Sequence, residues 1–326
     1  FFTQKTAYEI RLSLVGSEMC IRDRLQGGLL IILAFVVIGP NDVLIPFISK
    51  ESSLWQFHFS RSLIVISLIL IWIYLSSKKI FIYSLRNVLL RSFFYTSSML
   101  IYFGCLSFLP IAIVGAGMFT SPIFVLLISY FFYNEEIGVR RISAVLIGSI
   151  GVWVILDPLS EQFSYFNFLP IVGGIFLAMG NVTTWRLCSK ESPLTLTVFF
   201  FSIIGFFGLL GIISFSFFNV NPEDFNVPPF FIGGWSNGSI VLWILIFIQS
   251  IGSMIGIWLL TKAYQMADTS YLNVFEYSFF IFAGLAGWII LGQSITNFEL
   301  LGIFLIIIAG IIVSLAGKKK PTSLKN

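Results

Sequence analysis

Ten long, mostly apolar stretches follow one another along the chain, and few charged residues fall inside them. A helix needs about 20 mostly apolar residues to cross a lipid bilayer. Open strands leave backbone groups unsatisfied in lipid, and the period-two alternation typical of a membrane barrel is absent. The pattern therefore predicts an all-α integral membrane protein with ten transmembrane helices, at 26–47, 58–75, 92–109, 111–133, 140–156, 167–187, 195–217, 239–261, 270–292 and 299–317.

Two prolines are expected to shape the uncharged stretch 92–134, which is too long for one helix. Proline lacks the backbone N–H and its ring clashes with the preceding turn, so it ends or kinks a helix. We expect Pro110 to separate the third helix from the fourth, and Pro122 to kink the fourth.

The composition excludes most soluble classes of protein. Of the 326 residues, 57% are hydrophobic and 10% are charged, whereas a soluble domain carries about 25% charged residues. The single histidine and the isolated Cys20, Cys105 and Cys188 have no spacing that suits zinc or a disulfide framework. No P-loop, zinc-protease or serine-hydrolase motif is present. We expect no cofactor, no metal, no nucleic-acid partner and no enzymatic activity; the expected partners are a small-molecule substrate and the lipid bilayer.

The distribution of Lys and Arg predicts the orientation, because cytoplasmic loops carry an excess of both. With the C-terminus inside, the cytoplasmic side receives the lysines of a basic tail, residues 318–326, and a set of loop cations: Lys78, Lys79, Arg86, Arg91, Arg140, Arg141, Arg186, Lys190 and Lys262. The opposite side receives Lys50 and at most Arg61. Ten helices then place both termini in the cytoplasm, with the chain in the inner (plasma) membrane.

Residues 1–24 differ from the rest of the chain, because they hold mixed charges and no apolar span. They lack the apolar stretch and the small-residue cleavage site of a signal peptide. The string SLVGSEMCIRDR resembles a translated sequencing adapter, so we expect a non-native leader; a polar cytoplasmic leader is the alternative.

The two halves of the chain look alike. Residues 108–152 and 265–313 each give a short connection, a long helix, a polar corner and a glycine-containing helix, with Glu135 set against Gln293. This predicts one repeat over 25–158 and a second over 166–317. Five helices is an odd number, so the repeats would insert in opposite senses, as in many secondary transporters.

Several ordered fragments carry a resemblance to a known family: Gln26-Gly27-Gly28, Asp42, QFHFSR at 56–61, the stretch from Arg91 to the acidic corner, Asp157-Pro158, LCSKESPLTLT, KAYQMA and FEYSFFIFAGLAGWIILGQ. In this pattern the sequence resembles the EamA-type transporters of the drug/metabolite transporter superfamily. The resemblance implies two five-helix repeats and secondary transport of a metabolite. Two positions depart from the family pattern: Pro46 replaces a frequent Lys, and Gln293 replaces the usual Glu of the second acidic corner.

Charged residues inside a membrane are costly and indicate functional sites. Glu276, inside the ninth predicted helix, is the leading candidate, either as a substrate counter-ion or proton-coupling group, or as a structural partner of Arg61. Tyr277 is expected beside it, in the cavity or in packing. Arg61 and His58 share a face of the second helix. Arg61 suits a substrate carboxylate or Glu276, or it extends to the interface; His58 suits a proton relay or an interfacial hydrogen bond.

Four further residues complete the predicted site. Asp42 follows Pro40-Asn41, and an interrupted helix exposes backbone groups to polar ligands; the alternative is an acid at the outer surface. Asn181 and Trp185 share a face of the sixth helix, where a helix-to-helix contact and the interfacial aromatic belt are the alternative roles. Tyr102 is expected to line the cavity.

The sequence therefore predicts a secondary transporter that moves a small metabolite across the inner membrane by alternating access. Its substrate would resemble an amino acid, a nucleotide or another organic solute. Two other classes stay open at this point: an enzyme that acts on lipid substrates, and a receptor or assembly subunit that transports nothing.

Overall fold

The computed structural model describes residues 7–76, 80–134, 139–156, 164–218, 228–267, 269–292 and 296–315, and within these ranges the chain is helical with no strand. The helices are α1 (Ala7–Asp42), α2 (Ile45–Ile48), α3 (Leu54–Ser76), α4 (Leu85–Cys105), α5 (Ile111–Met118), α6 (Ser121–Tyr133), α7 (Val139–Leu156), α8 (Leu169–Leu187), α9 (Pro193–Phe218), α10 (Pro229–Ile232), α11 (Ile240–Met266), α12 (Thr269–Leu272), α13 (Ser278–Leu291) and α14 (Asn297–Leu315).

Seven segments of the described chain are long and apolar enough to cross a membrane: Leu25–Ile48, Leu54–Ser76, Leu85–Cys105, Ile111–Tyr133, Tyr165–Leu187, Pro193–Phe218 and Ile240–Met266. Three shorter apolar helical segments accompany them: Ile142–Ile155, Phe275–Leu291 and Asn297–Ala309. The prediction of an all-α integral membrane protein is confirmed. Helix α1 begins at Ala7, inside the predicted leader, whereas its apolar spanning part begins at Leu25.

The predicted effects of the two prolines in the middle of the first half are observed. Pro110 is the residue before α5, and four residues separate it from the end of α4 at Cys105. Pro122 lies in the first turn of α6, directly after the break at Phe119 and Thr120 that divides the fourth span into α5 and α6. Because Pro122 cannot donate a backbone hydrogen bond, the first turn of a new helix is the position that tolerates it.

Helix α4 begins earlier than the predicted 92–109. It starts at Leu85, so Arg91 lies inside the helix with its side chain 1% exposed. The assignment of Arg91 to a cytoplasmic loop was therefore wrong. The prediction took the charge of Arg91 as the boundary of the helix. A buried arginine is tolerated inside a helix where other groups satisfy its donors.

The ninth span is also broken, where one helix over 270–292 was predicted. After α12 the chain forms a 3-10 turn over Asn273–Tyr277, and α13 follows. The hydroxyl of Ser278 donates to the carbonyl of Phe275 at 2.7 Å. This side-chain bond competes with regular helical hydrogen bonding and places Glu276 in the turn.

The helices of the first half, α1–α7, pack mainly against those of the second half, α8–α14. The four most extensive helix pairs are α7 with α14, α1 with α11, α3 with α9, and α4 with α8. Small residues permit the close approach: a Cβ on Gly252 of α11 would lie 2.7 Å from Asn41 of α1, and one on Gly256 would lie 2.3 Å from Ile38. Each pair joins the two halves, so the core lies at their interface.

Candidate functional site

A cavity between the two halves brings together four buried ionisable residues: Asp42, Arg61, Arg91 and Glu276. It encloses about 850 Å³ of empty space, its opening included. Its remaining wall is mostly apolar and aromatic, and includes Phe35, Ile38, Met99, Phe103, Phe119, Leu177, Phe200, Ile257 and Phe279. A mostly apolar cavity with a few convergent polar groups is typical of a small-molecule site.

The charged residues lie at two levels of the cavity. Tyr102 contacts Asp42 and is eleven positions beyond Arg91 on α4, which corresponds to about 16 Å along a helix axis. Asp42 and Arg61 form one polar end, which we call the Asp42 end. Arg91 and Glu276 form the other, the Glu276 end. The apolar wall separates them.

At the Asp42 end, a glutamine stands between the acid and the base. The hydroxyl of Tyr102 donates to Asp42 Oδ2 at 2.7 Å, and Gln249 Nε2 donates to Asp42 Oδ1 at 3.5 Å. The Oε1 atom of Gln249 accepts from Arg61 at 3.3 Å and from Ser253 at 2.8 Å. Asp42 and Arg61 therefore interact through a neutral amide.

Arg61 is 0% exposed and has aromatic neighbours on several sides. Its guanidinium carbon lies 4.6 Å from the ring centroid of Phe103, 5.0 Å from that of Phe57 and 5.5 Å from that of Phe201. His58 Nδ1 lies 3.1 Å from an Arg61 terminal nitrogen, while Arg61 Nε has no hydrogen-bond partner. Arg61 thus keeps a free donor inside the protein, held by cation–π contacts.

At the Glu276 end, Arg91 contacts three helices of the second half. It donates to Thr184 Oγ1 on α8 at 3.1 Å, to the Leu196 carbonyl on α9 at 3.0 Å and to Thr261 Oγ1 on α11 at 2.9 Å. Its guanidinium lies 4.3 Å from the ring centroid of Tyr95. All three acceptors are neutral, so the charge of Arg91 is solvated by the protein and is not cancelled by a carboxylate.

Glu276 is held by one tyrosine and faces one amide. The hydroxyl of Tyr264 donates to Glu276 Oε1, and Asn181 lies beside the carboxyl group. Tyr95 donates in turn to Asn181 Oδ1. Glu276 Oε2 and Asn181 Nδ2 are buried without a hydrogen-bond partner. Because unmet buried polar atoms are costly, these two atoms mark a place where a ligand or a proton would be stabilised.

The structure brings most of the predicted site residues together. Asp42, Arg61, Tyr102 and Glu276 line the cavity. His58 lies behind Arg61 and packs edge-on against Phe103 at 5.3 Å. Asn181 lies behind Glu276. The suggested Arg61–Glu276 pair is not formed, because each residue is engaged by its own neutral partners at its own end of the cavity.

Tyr277 and Trp185, both named as site candidates, lie away from the central cavity, in agreement with the packing and interfacial alternatives. Tyr277 lines a separate small cavity beside α6, α7 and α14, with its ring centroid 6.2 Å from that of Phe119. Consecutive residues of a helical segment point in different directions, so Tyr277 does not follow Glu276 into the central cavity. Trp185 is half-buried near the end of α8, one turn beyond Asn181, and is absent from the cavity wall.

Sequence reasoning missed Arg91, Gln249, Tyr95, Thr184 and Thr261. Arg91 carried a signal: the other arginine of α4, Arg86, lies in the first turn of the helix, whereas Arg91 lies deeper, and an arginine inside a membrane span is rare. Polar residues such as Gln249 and the threonines also serve ordinary helix contacts, so they carry no signal without their partners. Among the described residues, no three His, Cys, Asp or Glu side chains cluster as metal ligands would.

Part of the chain matches a known family. Residues 25–157 match the EamA-like transporter family. This match and the curated relatives support an EamA-type protein of the drug/metabolite transporter superfamily, as the sequence resemblance indicated. They also bear out the prediction of a protein that is not an enzyme, because the family and the named relatives are transporters.

Several curated relatives are named as riboflavin transporters or as S-adenosylmethionine uptake transporters. A riboflavin transporter of Vibrio cholerae is 29% identical over 177 residues, which cover 54% of this chain and 53% of the relative. An S-adenosylmethionine uptake transporter of Rickettsia bellii is 25% identical over 295 residues, or 88% of this chain and 93% of the relative. The match thus spans about half of the Vibrio protein and most of the Rickettsia protein.

A solved crystal structure shares the fold of this protein. It aligns with a TM-score of 0.63 at 14% sequence identity, and the alignment covers 89% of this chain and 99% of the solved one. At this identity the likeness concerns the fold alone.

Proposed function

We propose that this EamA-type protein is a secondary transporter that binds a small metabolite in the cavity between its halves and releases it to either side by alternating access. The observation that carries the proposal is the buried cavity itself, with charged residues at both ends and an apolar wall between them. Asp42, Arg61, Tyr102 and Glu276 would contact the substrate. His58 and Asn181 would position Arg61 and Glu276.

The cavity chemistry favours a flat, apolar ring system that carries polar groups at both ends. Rings from Phe35, Tyr95, Phe103, Phe119 and Phe279 line the wall, and such rings stack on planar molecules. Two cationic and two acidic side chains give a wall with no large excess of either charge. Riboflavin and S-adenosylmethionine, which name the relatives, both combine a fused heteroaromatic ring with a polar chain. We propose a substrate of this class, with a neutral compound such as riboflavin preferred.

We propose ten transmembrane helices arranged as two inverted five-helix repeats, 25–158 and 166–317. The three shorter apolar segments bring the seven long ones to ten. The cross-half pairs support the repeat, because the first span of each half pairs with the third span of the other, α1 with α11 and α8 with α4. The inversion follows from the odd number of helices in each half. An inner-membrane location with both termini in the cytoplasm is proposed from the Lys and Arg pattern; the tail 318–326, Glu135, Gln293 and Asp157 lie outside the described residues.

The test is uptake into sealed proteoliposomes, with fluorescent riboflavin and labelled S-adenosylmethionine as probes. We expect saturable uptake of at least one probe, and thermal stabilisation of the purified protein by the same compound, because a ligand that binds only the folded state stabilises it. Glu276→Gln should weaken binding roughly 10-fold or more, since hydrogen bonds to charged groups are the strong ones, with the fold retained. Trp185→Phe, outside the cavity, is the matched control and should leave uptake unchanged.

Two results would contradict the proposal. If neither probe is taken up and neither stabilises the protein, the proposed substrate class is wrong. If Glu276→Gln and Trp185→Phe lose binding equally, the proposed site is wrong. The pH profile of binding separates two roles of Glu276. A profile that becomes flat in Glu276→Gln indicates a coupling proton, whereas an unchanged profile with weaker binding indicates a counter-ion.

A further inference from the structure

At one end of the bundle, a carboxylate joins the two halves. Glu191, in the connection between α8 and α9, is 4% exposed. Its Oε1 accepts the backbone N–H groups of Tyr83 at 3.0 Å and Ser84 at 2.7 Å, and its Oε2 accepts that of Tyr83 at 3.1 Å. Ser84 is the N-cap residue of α4. A second-half carboxylate thus caps a first-half helix; we call this contact the Glu191 latch.

The opposite end of the bundle has a related contact with the halves exchanged, formed by an exposed acid. Glu51, in the connection between α2 and α3, accepts one backbone N–H, that of Ser239, at 2.8 Å through Oε2. Ser239 is the N-cap residue of α11. We call this contact the Glu51 latch. Neighbouring bonds reinforce it: the side chain of Gln56 pairs with the backbone of Ser236 at 2.8 and 2.9 Å.

The two latches occupy corresponding places in the two halves. Glu51 lies just before α3, the second span of the first half, and Glu191 lies just before α9, the second span of the second half. Each caps the N-terminus of the third span of the other half, α11 or α4, through the N–H of a serine N-cap. Chance does not readily produce the same acid, the same cap residue and the same exchanged helix twice.

The latches also lie at opposite ends of the cavity. Ser84, the N-cap of α4, lies within two turns of Arg91, so the Glu191 latch lies at the Glu276 end. Ser239, the N-cap of α11, lies within three turns of Gln249, so the Glu51 latch lies at the Asp42 end.

We propose that Glu51 and Glu191 are the two latches of the transport cycle, each closing one end of the cavity and each released when that end opens. This inference rests on the transport function proposed above. A carboxylate suits the task because charge-assisted bonds to N–H groups are strong and the N-terminus of a helix attracts negative charge. Water that enters an opening end can replace these bonds, so the contact is reversible.

The experiment measures from which side of the membrane the cavity is reached. Met99, which lines the cavity between its two ends, is replaced by cysteine in a protein whose Cys20, Cys105 and Cys188 are changed to alanine. A membrane-impermeant thiol reagent is then applied to intact cells and, separately, to inside-out vesicles. We expect Glu51→Ala to raise the labelling rate from one side roughly 3- to 10-fold, as the loss of a helix cap would, and Glu191→Ala to raise it from the other side by a similar factor.

Glu299→Ala is the matched control. The Glu299 carboxylate also accepts a backbone N–H at a helix N-terminus, that of Thr296 at 2.7 Å, but within its own helix α14. Its removal should leave labelling from both sides unchanged. The proposal is wrong if Glu51→Ala and Glu191→Ala both speed labelling from the same side, or if neither variant changes the labelling rate. If either alanine variant fails to fold, Glu51→Gln and Glu191→Gln, which keep the side-chain shape, replace them. These two variants must also speed labelling from opposite sides.

Labelling needs no substrate, so the two proposals fail separately. If the two variants speed labelling from opposite sides but no probe is transported, the latch proposal holds and the proposed function is wrong. If a probe is transported but the two variants do not differ in side, the proposed function holds and the latch proposal is wrong.

Discussion

Replacing Gly151 by alanine should destabilise the protein at the contact between α7 and α14. A Cβ at Gly151 would lie 2.8 Å from the Gly302 carbonyl oxygen and 2.9 Å from Ile306 Cγ1. The first neighbour is backbone and cannot rotate away, so the helices must separate. Overpacking of this kind costs about 1–3 kcal/mol, whereas alanine in a helix gains about 1 kcal/mol over glycine. The expected net loss is therefore up to about 2 kcal/mol.

Gly148, one turn earlier on α7, isolates the steric cost. Its Cβ would lie 3.3 Å from the Ala309 side chain, which a small shift relieves, while the gain in helix propensity is the same. In thermal or denaturant unfolding in detergent, the free energy of unfolding should thus be about 1–3 kcal/mol higher for Gly148→Ala than for Gly151→Ala. Because neither helix lines the cavity, ligand affinity should be equal in both. Equal stability of the two variants would refute the close approach, and a selective loss of affinity in Gly151→Ala would refute a purely structural role for this pair.

Three further outcomes are expected. Arg61→Lys should lower stability by about 1–2 kcal/mol in the same unfolding assay, because lysine lacks the planar group that contacts three rings; an unchanged midpoint would contradict this. Tyr264→Phe should cost about 1–3 kcal/mol and change ligand binding, since it leaves Glu276 Oε1 without a donor; unchanged stability and affinity would argue against the contact. The N–H of Ser239 lowers the pKa of Glu51 from its ordinary 4.5. The Glu51 latch is therefore fully formed above pH 4.5 and is lost as the pH falls through the lowered pKa. The accessibility of a spin label in the cavity, measured from the Asp42 end, should rise over that acid range, and Glu51→Gln should show no such rise.

The membrane character and most helices were predictable because apolar length alone decides them. A stretch such as 195–217 has one stable solution in lipid, and α9 spans Pro193–Phe218. The boundary of α4 was not predictable by the same rule. Arg91 marks a helix end by charge, but it lies inside because Thr184, Leu196 and Thr261 satisfy its donors. Those partners come from three other helices, so no local pattern contains them.

The candidate site was predictable only where a charge stands alone in an apolar segment. Glu276, Arg61 and Asp42 carry that signal, and all three line the cavity. Gln249 bridges two of them, yet its sequence surroundings match any polar contact between helices. Tyr277 shows the limit of adjacency: its position next to Glu276 suggested a shared cavity or packing, and the two side chains line different cavities, because consecutive residues of a helical segment point in different directions.

The buried arginines connect the substrate site to the opening of its ends. Arg61 belongs to the first half and donates to Gln249 and Ser253 of the second half. Arg91 belongs to the first half and donates to three helices of the second. Any motion that separates the halves at one end must therefore break the bonds of the arginine at that end and leave a buried cation unsatisfied, which is costly. Water or a polar group of the substrate must then take the place of the lost acceptors. In the proposed transport cycle, the same two side chains would contribute both to the barrier between states and to the affinity for a ligand, because neutral acceptors of the opposite half hold each of them.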